Sequence, residues 1–324
     1  MPVIDHLQSL LNEDLVAVET ILAEEAASPV AMIPDLSAYI VSAGGKRLRP
    51  MVTLAAAHVA GGANSGTHAL SAAVEFIHTA TLLHDDVVDE SDLRRGKPAA
   101  KNVWSNSASI LVGDFLFARA FTLMVRTGSL DILDILSTAS TVIAEGEVRQ
   151  LAAQGRLDLP TEEYLAIIEA KTAALFEAAA RAGAFSVGNP EAAQSLAAYG
   201  KNLGLAFQIV DDALDYGGTT AVIGKSVGDD FREGKVTLPV VIARRRGSDT
   251  DRDFWDRALN PATQDDADLA RAIHLIRQTG AADATFSEAK AYIELAKTAL
   301  KSLPPSPYRD ALGDLADFSL QRAY

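Results

Sequence analysis

The chain has 324 residues, 48% of them hydrophobic and 22% charged, with 43 acidic against 29 basic side chains and a formal charge of −14 at pH 7. That balance excludes nucleic-acid or anionic-membrane binding by bulk charge, and the absence of cysteine excludes disulfides, thiolate zinc sites and a cysteine nucleophile. Met1 to Glu13 carries Asp5 and Glu13 without a basic run, which is not a signal-peptide pattern, and apolar runs such as 203–210 are cut well short of the ~18 residues of a membrane span, so the sequence reads as a soluble, cytoplasmic protein.

Alanine and leucine dominate, aromatics make up 6%, and apolar residues recur at three and four, as at Val74, Ile77, Leu82 and Val88. The spacing predicts helices over 2–27, 35–43, 48–61, 67–91, 106–127, 129–154, 161–186, 191–217, 237–246, 264–279, 281–303 and 306–322. The breaks fall at Gly44-Gly45, Gly61-Gly62, Asn189-Pro190, Gly217-Gly218 and Pro304-Pro305. No Pro/Ser linker or charge block divides the chain, which predicts one large all-α domain over 1–324.

Two segments echo each other. Leu83-His84-Asp85-Asp86-Val87-Val88-Asp89 is matched by Ile209-Val210-Asp211-Asp212-Ala213-Leu214-Asp215, so DDxxD ends two predicted helices with first aspartates 126 residues apart (211 − 85). Residues at i and i+4 share a helix face, which pairs Asp85 with Asp89 and Asp211 with Asp215. Both pairs continue core-facing stripes, back through Thr81, Ile77 and Val74 in one case and Phe207 and Leu203 in the other. Carboxylates there suffer desolvation, mutual repulsion and an unfavourable helix dipole. A single such motif reads most simply as a solvated acidic face; two, each followed by a basic loop, ask for a cation. Oxygen-only ligands indicate a hard ion, and Mg²⁺ shared with substrate phosphates suits two sparse clusters better than a closed Ca²⁺ cage. Glu75 and His78 form one Glu-x-x-His, but a di-iron bundle needs two. His78 then reads as a hydrogen-bonding or substrate-contact residue, and His58 and His274 as structural.

The cations also cluster. Gly44-Gly45-Lys46-Arg47-Leu48-Arg49-Pro50 is a glycine turn entering a helix, where backbone N–H groups with Lys46 and Arg49 make an anion site. Arg94-Arg95-Gly96-Lys97 follows the first acidic motif. Lys225 and Lys235 lie in a long loop, 217–236, of the kind that serves as a lid. Two anionic substrates are implied, one bridged by metal and one held by arginine and lysine, with an apolar interior behind them.

GGKRLRP (44–50), EFIHTATLLHDDVVDESDLRRG (75–96), KTAALFEAA (171–179), FQIVDDALDY (207–216) and GKSVGDDFREGKVTLP (224–239) together resemble the trans-isoprenyl diphosphate synthases, most closely the long-chain octaprenyl to decaprenyl branch that makes quinone side chains. The likeness runs through most of the chain in order, with no departure at a motif residue. It implies an all-α bundle around a deep central cavity, usually a homodimer. It implies further that Asp85 and Asp89 hold two Mg²⁺ ions against an allylic diphosphate and Asp211 a third, with Asp215 in support. Arg94, Lys171, Lys225 and Lys235 would contact that diphosphate, and Lys46, Arg49, His78 and Arg95 would hold isopentenyl diphosphate. Thr172 and Gln208 would face the developing carbocation, while Thr81, Ala80 and Ile77 would line the channel of the growing tail. A terpene cyclase would replace the second aspartate motif with an Asn/Ser/Glu one, and a non-catalytic subunit of a heteromeric synthase would lose motif aspartates or arginines. A short- or medium-chain synthase is the remaining alternative.

Overall fold

A computed structural model of the chain describes residues 2–42, 44–217, 228–260 and 262–321. In chain order the helices are α1 (Pro2–Leu10), α2 (Asn12–Glu25), α3 (Met32–Ser42), α4 (Leu48–Ala60), α5 (Ser65–Val88), α6 (Ala100–Val103), α7 (Asn106–Arg126), α8 (Leu130–Ala153) and α9 (Thr161–Ile168). A π-helical turn, Glu169–Ala173, leads into α10 (Ala174–Phe185). There follow α11 (Pro190–Gly217), α12 (Asp229–Arg232), α13 (Leu238–Arg246), α14 (Asp249–Ala258), α15 (Asp266–Gln278), α16 (Ala281–Leu300) and α17 (Pro307–Gln321). The one sheet among the described residues is a two-stranded hairpin, β1 (Leu93–Arg94) with β2 (Lys97–Pro98), inside the basic segment after α5.

Several helices start where a side chain satisfies their first N–H groups. Asn64 accepts from Thr67 N at 3.0 Å in a reciprocal capping box, which starts α5. Asp265 accepts from Ala267 N and Asp268 N to start α15.

Four differences from the periodicity have physical causes. The predicted 2–27 helix divides at fully buried Leu11, where neither glycine nor proline marks the break. The 161–186 helix holds a π turn in its middle. α14 has few apolar positions, and its only announcement is the Ser248…Asp251 capping box. Finally, α7 is long and apolar enough to cross a membrane, contrary to the expectation that no run would be; here it packs along α5.

α11 lies at the centre, packed along α10 and α16, while α4 packs on α10. Two of these approaches need glycine: a Cβ on Gly183 would lie 2.3 Å from Thr53 O, and one on Gly200 2.3 Å from Phe176 O. The larger core cluster gathers α4, α5, α7 and α10, and the smaller gathers α9, the C-terminal half of α11 and α13 to α16. The chain ends are tied together: α1 packs on α17 through a face containing buried Ile4 and Leu7. Asp14 on α2 accepts from His58 and His68, each at 2.7 Å, and His58 stacks on Tyr308 at 4.1 Å.

Candidate active site

The two aspartate motifs lie at the C-terminal ends of α5 and α11, and lysines from elsewhere in the chain reach both carboxylates of the first. Lys235 donates to Asp89 at 2.9 Å and meets Glu233 at 2.5 Å. Lys171 donates to Glu147 at 2.7 Å and stands 3.9 Å from Asp85. Burial raises the Asp85 carboxyl above its ordinary range, with Lys171 pulling it down and Asp89 pushing it up. Burial alone would depress both ammonium groups, yet the surrounding carboxylates outweigh it and hold both charged. The site therefore holds two ammonium groups against carboxylates that want a positive neighbour.

The middle aspartates, passed over by the i, i+4 pairing, are the structural members of each motif. Asp86 is fully buried and takes the Arg94 guanidinium, with Nε at 2.9 Å and Nη2 closer still. Arg94 is thereby fixed beside the site by its own motif. Asp212 accepts from Tyr164 Oη at 2.6 Å and from Gln208 Nε2 at 2.8 Å. Burial, with Asp230 nearby, pushes the Asp212 carboxyl up to about 7. Gln208 in turn accepts the Thr172 hydroxyl at 2.7 Å.

Asp211 and Asp215 do not share one environment. Asp211 is half-buried, and its charge reaches Arg49. Asp215 is 4% exposed and turns to the N–H groups of Asp229 and Asp230, both at 3.2 Å, where it caps α12. Lys225 lies outside the described residues.

A second pocket collects arginines. Arg49 donates to His78 Nε2 at 3.2 Å and lies over the Phe176 ring, 4.3 Å from its centroid. Burial lowers Arg49 to about 10 even with Glu75 and Asp211 opposing it. Burial and the neighbouring Arg49, Arg95 and Arg94 hold His78 well below its usual value, so it is a neutral acceptor. Glu75, buried on α5, takes Arg47 at 2.6 Å, and Arg47 also binds Glu19 at 2.7 Å. Arg47 (φ 49°) takes the left-handed region at the start of α4, and Arg95 (φ 53°) takes it with Gly96 (φ 77°) as the two-residue turn between β1 and β2. The glycine turn touches this group: a Cβ on Gly45 would lie 2.9 Å from the Arg95 guanidinium. Lys46 projects over Phe318 at 5.1 Å.

Along α5 the accessible stripe leading back from Asp85 is Leu82, Thr81 and His78. Thr81 bonds His78 O at 2.9 Å. Ala80 and Ile77, also expected on this channel, have no exposed surface and stand in the wall beside the stripe. The helix phase explains this, since −4 and −7 from Asp85 share its face more closely than −5 and −8. Sequence reasoning missed Asp86, Glu147, Tyr164, Asp212 and Glu233. The two aspartates stood inside their motifs, as Glu233 stood inside 224–239; Glu147 and Tyr164 carry no local signal and act only through tertiary contact.

The sequence pattern of the polyprenyl synthetase family matches residues 30–276. Octaprenyl diphosphate synthase of Escherichia coli (strain K12) is 42% identical over 320 residues, covering 98% of this chain and 99% of that protein. The all-trans-nonaprenyl-diphosphate synthase (geranyl-diphosphate specific) of Rhodobacter capsulatus is also 42% identical, over 98% and 99%. Among solved structures, a polyprenyl synthase from Caulobacter crescentus CB15, complexed with calcium and isoprenyl diphosphate, superposes with a TM-score of 0.96 at 52% identity over 99% of this chain and 98% of that one. The decaprenyl diphosphate synthase of Rhodobacter capsulatus gives 0.95 at 49% identity over 99% of each chain. With its fold and motifs matched over nearly its whole length, this chain belongs to the polyprenyl synthetase family.

Proposed function

We propose that the chain condenses isopentenyl diphosphate with an allylic diphosphate of the geranyl or farnesyl type in successive trans additions, giving an octaprenyl to decaprenyl diphosphate for a quinone side chain. It does so as a single domain over 1–324, in a cytoplasmic homodimer. The observation that carries this reading is the coexistence of two differently built anion sites, one of carboxylates with lysines and one of arginines with a neutral histidine. The names of the relatives support the long-chain product. Leu111, Val125 and Leu130, on α7 and at the start of α8 and exposed at 66%, 63% and 81%, support a homodimer face.

The residues fit Mg²⁺. The donors are carboxylate oxygens, and half-buried Asp85, with Asp89 nearby, has its carboxyl raised by burial and by that neighbour, a setting that a hard cation relieves. Among the described residues no three acidic or histidine side chains form a closed metal cage, as suits an ion shared with substrate phosphates. Asp85, Asp89 and Asp211, with Asp215 behind them, would hold up to three ions. When bound, these ions would supply Lewis-acid neutralisation of the leaving diphosphate.

The chain's own residues do the rest. Lys171, Lys235 and Arg94, joined by Lys225, stabilise the diphosphate as its C–O bond breaks and leaves an allylic cation. With its proton committed to Gln208, Thr172 turns only lone pairs toward that cation. Arg49, Arg95, His78 and Lys46 hold isopentenyl diphosphate so that its double bond attacks, after which the resulting tertiary cation gives a proton to the departed diphosphate and an alkene is restored. The apolar interior excludes water that would quench the cation. Thr81 faces the growing tail, backed by Ala80 and Ile77. The test is to incubate the purified protein with Mg²⁺, isopentenyl diphosphate and farnesyl diphosphate and size the products. C40 to C50 chains are expected, and products ending at C15 or C20 would overturn the long-chain reading.

A further inference from the structure

The residues that aim at the allylic substrate stand on an irregular piece of helix. The Ala174 N–H bonds Glu169 O, five residues back, so the stretch carrying Lys171 and Thr172 is a π turn inside an otherwise α-helical rod. A π turn gives up regular hydrogen bonding and needs outside support to persist.

Two glycines, on two different helices packed against the turn, supply that support. On α8, a Cβ at Gly146 would lie 2.8 Å from Ala170 Cβ and 2.9 Å from Lys171 N. On α11, a Cβ at Gly204 would lie 2.5 Å from Ala173 Cα. In mid-helix, alanine is otherwise the better residue, so backbone approach is what each glycine provides. Beside each glycine stands the side chain that fixes one functional residue of the turn. Glu147, next to Gly146, receives Lys171 at 2.7 Å, and Gln208, one helical turn from Gly204, receives the Thr172 hydroxyl at 2.7 Å.

We infer that Gly146 is a positioning residue for the allylic half of the reaction: it lets α8 seat on the π turn closely enough that Glu147 sets the Lys171 ammonium and the turn presents Thr172. The inference rests on the proposed role of Lys171 and Thr172 at the allylic diphosphate. A methyl at 146 would push the turn away from α8 by a fraction of an ångström to about 1 Å, a displacement that costs up to ~100-fold in a positioned reaction.

The test uses the full-length enzyme with each substrate varied in turn. Gly146→Ala is expected to lower kcat/KM for the allylic diphosphate by roughly 10- to 100-fold, leaving the KM for isopentenyl diphosphate within error of wild type. Ala170→Gly added to that variant removes the nearest of the clashing atoms, leaving the Lys171 N–H, and should restore part of the loss. Gly313→Ala, on α17 with nothing within 4 Å of the added methyl, is the control and should change neither substrate's kinetics. Wild-type allylic kinetics in Gly146→Ala would overturn the inference. So would a parallel rise in both KM values with a lowered melting temperature, which marks a general packing defect. If Gly146→Ala does not fold, Ala170→Gly alone decides, because it loosens the seat without adding an atom. A threefold or larger loss in allylic kcat/KM supports the inference, and unchanged kinetics rejects it. Lys171→Ala, run alongside, separates the two levels. If it leaves the allylic KM and kcat intact, the assigned role of Lys171 fails; if it damages them while Gly146→Ala does not, only the seat fails.

Discussion

Lys235 Nζ lies 2.9 Å from Asp89 Oδ2 across 146 residues of chain, joining the segment after the second aspartate motif to the last residue of the first. The ammonium is held by carboxylates, and in the proposed reaction it would pass to the allylic diphosphate. Lys235→Ala should therefore lower kcat/KM for the allylic diphosphate by about 10²- to 10³-fold, the scale for losing one electrostatic contact to a developing charge. Lys235→Arg should recover only part of the loss, because a guanidinium fork pairs bidentately with the carboxylates and delivers its charge differently from a compact ammonium. Kinetics at saturating isopentenyl diphosphate check both.

Asp85→Ala and Asp211→Ala should each remove nearly all condensation, on the order of 10³-fold or more, because each deletes a proposed Mg²⁺ ligand. The helical circular dichroism should stay unchanged, and EDTA should abolish wild-type activity until Mg²⁺ is returned. A variant turning over faster than a tenth of wild type would remove that residue from the metal site.

Arg49→Ala should raise the KM for isopentenyl diphosphate about 10- to 100-fold, the loss of a charge-assisted contact worth roughly 1.5–3 kcal/mol. Its effect on the allylic KM should be small. Varying each substrate in turn decides, and an effect confined to the allylic side would exchange the two sites.

Asp212 gives a pH signature. Its carboxyl titrates near 7 in the fold against 3.8 for an ordinary one. Between about pH 4 and 7 the folded chain keeps a proton that the unfolded chain has released, so this group makes stability fall as pH rises through that window. The full effect is on the order of 4 kcal/mol. Asp212→Asn in EDTA should melt with a flatter pH dependence over that range and be the more stable protein at pH 8. Parallel curves for the two proteins would refute the assignment.

Chain length should respond differently at neighbouring positions. Thr81→Phe places bulk on the half-buried face below Asp85 and should shorten products toward C15 and C20 in an active enzyme. Ala80→Phe has no free volume to enter and should cost about 1–3 kcal/mol of stability. Product sizing and thermal melts on both variants separate channel from wall.

Much of this was legible in the sequence, and the gaps are instructive. Periodicity located α4, α5, α7, α8 and α11 to within two or three residues, because each buries a broad apolar stripe. The i, i+4 rule brought Asp85 and Asp89 forward. It could not show that Asp86 and Asp212 turn inward, since neighbours on a helix differ by 100° and the fold decides which neighbour is buried. The π turn was hidden because Glu169-Ala170-Lys171-Thr172-Ala173 is ordinary helix-compatible sequence, and its irregularity comes from helices over 20 residues away in the chain. The Arg49–His78 pair combined two separately flagged residues, while the Phe176 ring beneath Arg49 lay in a motif noted only for its lysine and threonine.

The packing of α1 on α17 bears on how the chain is made. α1 is made long before α17 and keeps Ile4 and Leu7 for that later partner. At ~5–20 residues per second that apolar face waits tens of seconds without its native cover, and such long-range contacts form late. Nascent chains arrested before 307 should accordingly bind hydrophobic dyes and holding chaperones, and release them once α17 is complete.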